Sequence, residues 1–194
     1  MKSNIFSRAS RLFVTMTCLI LFVLISPLFG QGPKQNIKIQ IPMPDGINLE
    51  ADFFRSSEEK ASPVILIRTP YGKQQHSADG EFFAKHGYNV IIQDTRGKWK
   101  SEGDFFPFIN EQKDGMATLD WITKQDWCNG QIGMWGSSYL SFSALILGSS
   151  HHPALISIFA ISGWLGGSKM ISPGGAFHLQ LSLPWMLYEA TQKT

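Results

Sequence analysis

The sequence predicts an α/β fold with a mostly parallel sheet, and three observations carry that expectation. Short, continuously apolar runs at 63–67, 88–92, 132–135 and 154–160 have the length and β-branched content of strands covered on both faces. Between them lie segments with apolar residues at helical spacing, at 78–86, 110–124 and after residue 139. Strand and helix therefore alternate, which is the pattern of βαβ units, and a single alternating hairpin precedes them.

Taken in order, Asn36-Ile37-Lys38-Ile39-Gln40-Ile41 alternates apolar and polar. Pro44-Asp45-Gly46 turns the chain, and the alternation resumes at Ile47, Leu49 and Ala51, a hairpin with one buried face. Residues 56–62 are polar and loop-like. The run Pro63-Val64-Ile65-Leu66-Ile67 passes into the turn Arg68-Thr69-Pro70-Tyr71-Gly72. A helix follows at 78–86, closed by Gly87, and then a second buried strand at 88–92 ends in Gln93-Asp94-Thr95-Arg96-Gly97. After a loop rich in Lys, Gly and Phe, 110–124 places Met116, Leu119 and Ile122 on one face, with Glu111 and Asp114 in the first turn. Asn129-Gly130 turns the chain into the strand at 132–135.

The stretch 130–148, GQIGMWGSSYLSFSALILG, organises the rest. A buried strand turns at Gly136-Ser137-Ser138-Tyr139 into a helix, and Ser138 stands at the corner. A serine hydroxyl is a poor nucleophile unless it is held clear of the sheet, and a sharp strand-to-helix elbow with small residues two before and two after does this. Gly136 meets the first requirement; Leu140 occupies the place of the second small residue. Taken alone, a Gly-x-Ser before a helix also fits a simple helix N-cap. Ser137 is the rival corner, but it has Trp135 two positions upstream. In open α/β sheets ligands sit at the carboxyl ends of the strands, and Tyr71, the 94–97 turn and Ser138 all fall there.

Four groups occur in this order: Arg68-Thr69-Pro70-Tyr71-Gly72; Asp94-Thr95-Arg96-Gly97 with Ser101-Glu102-Gly103; Asp114-Gly115 with Asp120-Trp121; and Asn129-Gly130 leading to Gly136-Ser137-Ser138-Tyr139-Leu140. Pro173-Gly174-Gly175-Ala176 follows. The set resembles the X-Pro dipeptidyl-peptidase and cocaine esterase family of α/β-hydrolase serine enzymes, from roughly Ile37 to the end. The resemblance implies an α/β-hydrolase fold over 31–162 and the start of a helical cap at 163–194, where the fold is incomplete. It implies Ser138 as the acyl-forming nucleophile, Tyr71 as the hydroxyl donor to the oxyanion, and the backbone N–H of Tyr139 as the second donor. Asp94 and Arg96 are expected to be scaffold, paired with each other or capping loop backbone.

In this fold a carboxylate and then a histidine follow the nucleophile. After Ser138 the only carboxylate is Glu189, and no histidine follows it. His151 and His152 come a helix length away and are expected to cap its end, while His178 is expected to pack in the cap. His76 and His86 precede the elbow. The acid and base are therefore expected beyond Thr194, the chain being a fragment with little or no activity of its own. Pocket residues of the cap would decide between an esterase or β-lactam acylase and an enzyme releasing dipeptides ending in proline. A non-catalytic secreted binding domain on the same scaffold is the alternative of another class.

The 194-residue chain carries a formal charge of +2. Lys2, Arg8 and Arg11 precede the uncharged run 12–25, followed by Ser26-Pro27, Gly30 and Gly32: the layout of a secretory signal peptide over 1–30, cleaved near Gly30-Gln31. Its removal leaves 14 basic against 15 acidic side chains. The expectation is export to a periplasmic or extracellular location, with the membrane met only transiently. No basic patch suggests nucleic acid, no glycine-rich phosphate loop suggests a nucleotide, and the histidines have no metal-ligand spacing. No cofactor is expected, and the partner is a small ester, amide or short peptide substrate. Cys128 is the one cysteine outside the leader, so no intrachain disulfide can form.

Overall fold

The structure, a computed structural model, describes residues 36–56 and 61–192. The expected signal peptide lies outside the described residues, as does most of the 56–62 loop. The strands are β1 (Ile37–Pro42), β2 (Asn48–Phe54), β3 (Ser62–Thr69), β4 (Asn89–Asp94), β5 (Cys128–Ser137) and β6 (Leu155–Ile161). The helices are α1 (Ser77–Lys85), α2 (Glu111–Ile122), α3 (Tyr139–Gly148), α4 (Gly167–Ile171) and α5 (Leu179–Thr191), with short 3-10 turns at Lys73–His76 and Pro173–Gly175.

One six-stranded sheet runs in the order β1-β2-β4-β3-β5-β6. β1 and β2 form the expected antiparallel hairpin, and β2 pairs antiparallel to β4; β4, β3, β5 and β6 run parallel. The parallel part brings the carboxyl ends to one edge, with Thr69 level with Asp94 and Ser137 level with Ile161.

The alternation of side chains along a strand divides the core into two layers. Val64, Leu66, Ile91, Ile132 and Met134 meet Leu119 and Ile122 of α2 and Leu147 of α3. On the other face Ile67, Val90 and Ile92 pack with Ala84 of α1, Tyr139 and Leu140. Each fully buried Leu or Ile contributes about 1.5–3 kcal/mol relative to exposure. α2 and α3 approach so closely at Gly115 that a Cβ there would lie 2.5 Å from Leu147 Cδ1.

Two local expectations are corrected. β2, between β1 and β4, is buried on both faces, Glu50 and Asp52 included, and Lys73 Nζ lies 2.8 Å from Glu50. Asn129-Gly130 is not a turn ahead of the strand; it lies inside β5, with Gly130 at φ 86.

Candidate active site

Ser138 follows the last residue of β5 and precedes the first of α3, at φ 57 and ψ −122. A non-glycine residue held in this sparsely populated region stores strain that the surroundings must oppose. Here its N–H donates to the Ile161 carbonyl at 3.0 Å, and Phe142 N–H donates to its own carbonyl at 3.1 Å. Its side chain makes no cap hydrogen bond to the helix. The hydroxyl is thus not spent on helix capping. Leu140 fits two residues on because Gly136 has no side chain: a Cβ at 136 would stand 2.3 Å from Leu140 Cβ. The small-residue requirement of the elbow falls wholly on Gly136, which is why Leu140 is tolerated.

Tyr71 arrives from β3 through the Thr69-Pro70 turn, where its N–H donates to Thr69 Oγ1 at 3.1 Å. Its phenol accepts from Trp185 Nε1–H at 3.3 Å. Tyr71, from the end of β3, thus comes against Tyr139, the residue after Ser138, with their rings in edge contact at 6.4 Å. Burial pushes the Tyr71 phenol above its usual value, while the hydrogen bonds from Ser138, Trp185 and the Tyr139 amide pull the other way. Tyr139 itself is fully buried: its phenol donates to Glu111 Oε1 at 3.1 Å and accepts from Phe108 N–H at 3.0 Å. Its ring also meets that of Tyr71, edge-on with planes at 75°. Burial, reinforced by the Glu111 charge, holds the Tyr139 phenol well above its usual value.

Below the elbow lies a charged network. Arg68 meets Glu111 at 3.0 Å and donates to Gln93 Oε1 at 2.9 Å, and Ser143 donates to Glu111 Oε2 at 3.1 Å. Arg68 and Glu111, buried at 1% and 3% exposure, join β3, α2 and α3. Asp94 and Arg96 are indeed tied into scaffold, but not to each other. Asp94 takes Lys73 Nζ at 2.7 Å and Lys73 N–H at 2.7 Å, and burial outweighs the lysine to push its carboxyl up to about 6. Arg96 pairs with Asp114 at 2.6 Å and with Asp45 at 3.0 Å.

The histidines are engaged elsewhere. His76 Nδ1 lies 3.1 Å from Asp79 and His86 Nδ1 2.7 Å from the Phe82 carbonyl. His152 lies 3.2 Å from Asp120 and accepts from Ala154 N–H, so it caps the loop into β6 rather than the end of α3. The ten residues of α3, about 15 Å of helix, separate that loop from Ser138. His151 is exposed, and so is His178, which does not pack as expected: it stands at the N-cap of α5, outside the helix. Glu189 is buried against Lys98 at 2.7 Å. Among the described residues no cluster of His, Cys, Asp or Glu could hold a metal ion, and no helix is long and apolar enough to cross a membrane.

A groove of about 490 Å³ runs over β3, β5 and β6 beside Phe83, Trp135 and Phe159, and none of Ser138, Tyr71 or Tyr139 lines it. A smaller cavity of about 210 Å³ is lined by Lys98, Phe105, Pro107, Met186, Glu189 and Ala190. Trp185 was not recognisable from sequence. It reaches Tyr71 across 114 residues, and only the folded chain brings them together.

Residues 45–194 match the model of the X-Pro dipeptidyl-peptidase (S15 family). The chain belongs to this family. It is 36% identical over 156 residues to a cocaine esterase of Rhodococcus sp. (strain MB1 Bresler), covering 76% of this chain and 27% of that protein. Among solved structures, an α-amino acid ester hydrolase superposes with a TM-score of 0.62 at 29% identity, covering 70% of this chain and 26% of the other. An aminopeptidase from a marine sediment Thaumarchaeota archaeon shares the fold, with a TM-score of 0.70 at 24% identity over 82% of this chain and 31% of its own. The chain spans about a quarter of the length of the relatives it matches. The fold is that of the α/β-hydrolases, and the family hydrolyses ester or peptide bonds.

Proposed function

We propose that the chain carries the nucleophile and oxyanion site of a serine hydrolase that cleaves an ester or amide through an acyl-enzyme. Ser138 Oγ attacks the substrate carbonyl, its proton passes to a base, and the carbonyl oxygen becomes an oxyanion facing the Tyr71 hydroxyl and the Tyr139 N–H. Collapse expels the alcohol or amine and leaves the acyl group on Ser138; water then releases the acid. The observation that carries this reading is Ser138 held at positive φ on the strand-to-helix corner with no cap hydrogen bond from its side chain, next to Tyr139, whose ring meets that of Tyr71 at 6.4 Å. Fixed donors aimed where charge develops lower the barrier to acyl transfer substantially, and loss of one costs roughly 10²–10³ in rate.

The base and its orienting carboxylate come, in this proposal, from outside the 194 residues. Support comes from the histidines, of which three are bonded away from the elbow and two are exposed. Incubation with a p-nitrophenyl ester should give turnover no faster than in the Ser138→Ala variant. Saturable turnover abolished by that change would put the base inside the chain. In a version extended to the length of the relatives, a fluorophosphonate probe should label Ser138; an unlabelled Ser138 would favour a binding domain on this scaffold. We further propose export, from the basic start and apolar run of residues 1–30. N-terminal sequencing of the secreted product should then begin near Gln31.

A further inference from the structure

We propose that Trp185 is a positioning residue for this site: its indole N–H holds the Tyr71 phenol oxygen, so that the phenol's single proton points away from the indole. The inference rests on Tyr71 being an oxyanion donor and extends that reading to helix α5, which no feature of the sequence assigns to the chemistry.

An indole N–H can only donate, whereas a phenol can donate one proton and accept on its oxygen. Trp185 Nε1 lies 3.3 Å from the Tyr71 oxygen, so at that contact the phenol must accept. With the indole donating, the phenol's own proton must point to another acceptor. A phenol O–H lies in the ring plane and has two positions there. With the indole donor on one side, the proton is left on the other, where in the proposed reaction it would meet the oxyanion without reorienting.

The indole is held for this purpose. Its ring stacks on Phe108, with centroids 5.5 Å apart and planes at 20°, and on Tyr139 at 6.1 Å and 22°. Four residues further along the same face of α5, Glu189 is fixed by Lys98, whose ammonium lies 2.7 Å from Oε2 and donates to the Glu189 carbonyl at 2.7 Å. Lys98 also sits 4.9 Å over the Phe105 ring. The ion pair fixes the height of α5, and the stack fixes the plane of the ring that carries the N–H.

The Trp185→Phe variant keeps the stacked ring and removes the donor. Ionisation of Tyr71 is followed by ultraviolet difference absorbance, with Tyr71→Phe in each background to assign the signal. An N–H bonded to the phenol oxygen stabilises the phenolate, so its loss should move the Tyr71 pKa further up. Packing alone predicts the opposite or nothing: a loosened α5 wets the phenol and brings it down toward its usual value of about 10, and an unaffected one leaves it in place. Either result overturns the proposal. A second measurement leaves α5 unaltered: Tyr71→Phe should move the Trp185 indole N–H resonance upfield and speed its hydrogen exchange, and an indole signal unmoved by that change would also overturn it. Neither readout uses hydrolysis, so an unreactive Ser138 would sink the proposed function without touching this test.

Discussion

At position 136 the absence of one carbon decides whether the elbow can form. A Cβ there would stand 2.3 Å from Leu140 Cβ and 2.9 Å from the Leu140 carbonyl carbon, contacts that neither side chain can turn away from. Gly136→Ala should therefore cost about 1–3 kcal/mol in urea unfolding, at the upper end for overpacking. Leu140→Ala should not relieve it, since the obstructing atom is the Cβ, whereas Leu140→Gly should make the two changes couple in a double-mutant cycle. Equal cost in all backgrounds would refute the contact. Asp94 is the other single residue with a measurable signature. Its folded carboxyl is raised to about 6 from 3.8, so the folded state binds this proton more tightly than the unfolded chain does. The associated stability is fully present below about pH 4 and is lost as pH rises through 6, a change on the order of 2–3 kcal/mol. Unfolding free energies of wild type and Asp94→Asn should diverge across that window; parallel curves would mean that Lys73 holds the carboxylate ionised throughout.

Between elements, the joint that matters most is the buried set of Arg68, Gln93, Glu111, Thr118, Tyr139 and Ser143. It ties the end of β3 to the start of α2 and the first turns of α3, and so sets the height of the helix whose first amide faces Ser138. Glu111→Gln leaves the Arg68 guanidinium buried without a counter-charge, a loss of about 3–5 kcal/mol that a shift in urea midpoint would report. Replacing both by apolar residues of similar volume should cost far less, and an equal cost would show that shape rather than charge makes the joint. None of this was legible beforehand. Glu111 reads as a first-turn carboxylate favoured by the helix dipole, and Arg68 as the first polar residue of a turn; what neither reveals is that both point inward. The elbow was legible, because the period breaks from two to 3.6 at a Gly-x-Ser and the parallel strands must bring Tyr71 to the same edge. The hidden parts are contacts between residues tens of positions apart, which local pattern does not encode.

Across the whole described chain, the apolar surface is unevenly covered. β6 is the edge strand, and Ile156, Phe159 and Ile161 are 61, 59 and 43% exposed. On α5, Leu179, Leu181 and Leu187 are 64, 51 and 58% exposed, although Trp185 and Glu189 on the same helix face the site. An edge strand offers unpaired N–H and C=O groups to another chain, and exposed apolar residues add the driving force for association. The opposite edge differs: β1 alternates, with Lys38 and Gln40 exposed, so among the described strands β6 is the more apolar edge. The purified 194-residue chain should bind an apolar dye strongly and sediment as species larger than a monomer at micromolar concentration. Phe159→Lys places a charge on the edge strand where it clashes with nothing in the core, so it should reduce both signals while leaving the unfolding midpoint within about 0.5 kcal/mol of wild type. A monodisperse monomer that binds no dye would mean that these faces are covered in solution.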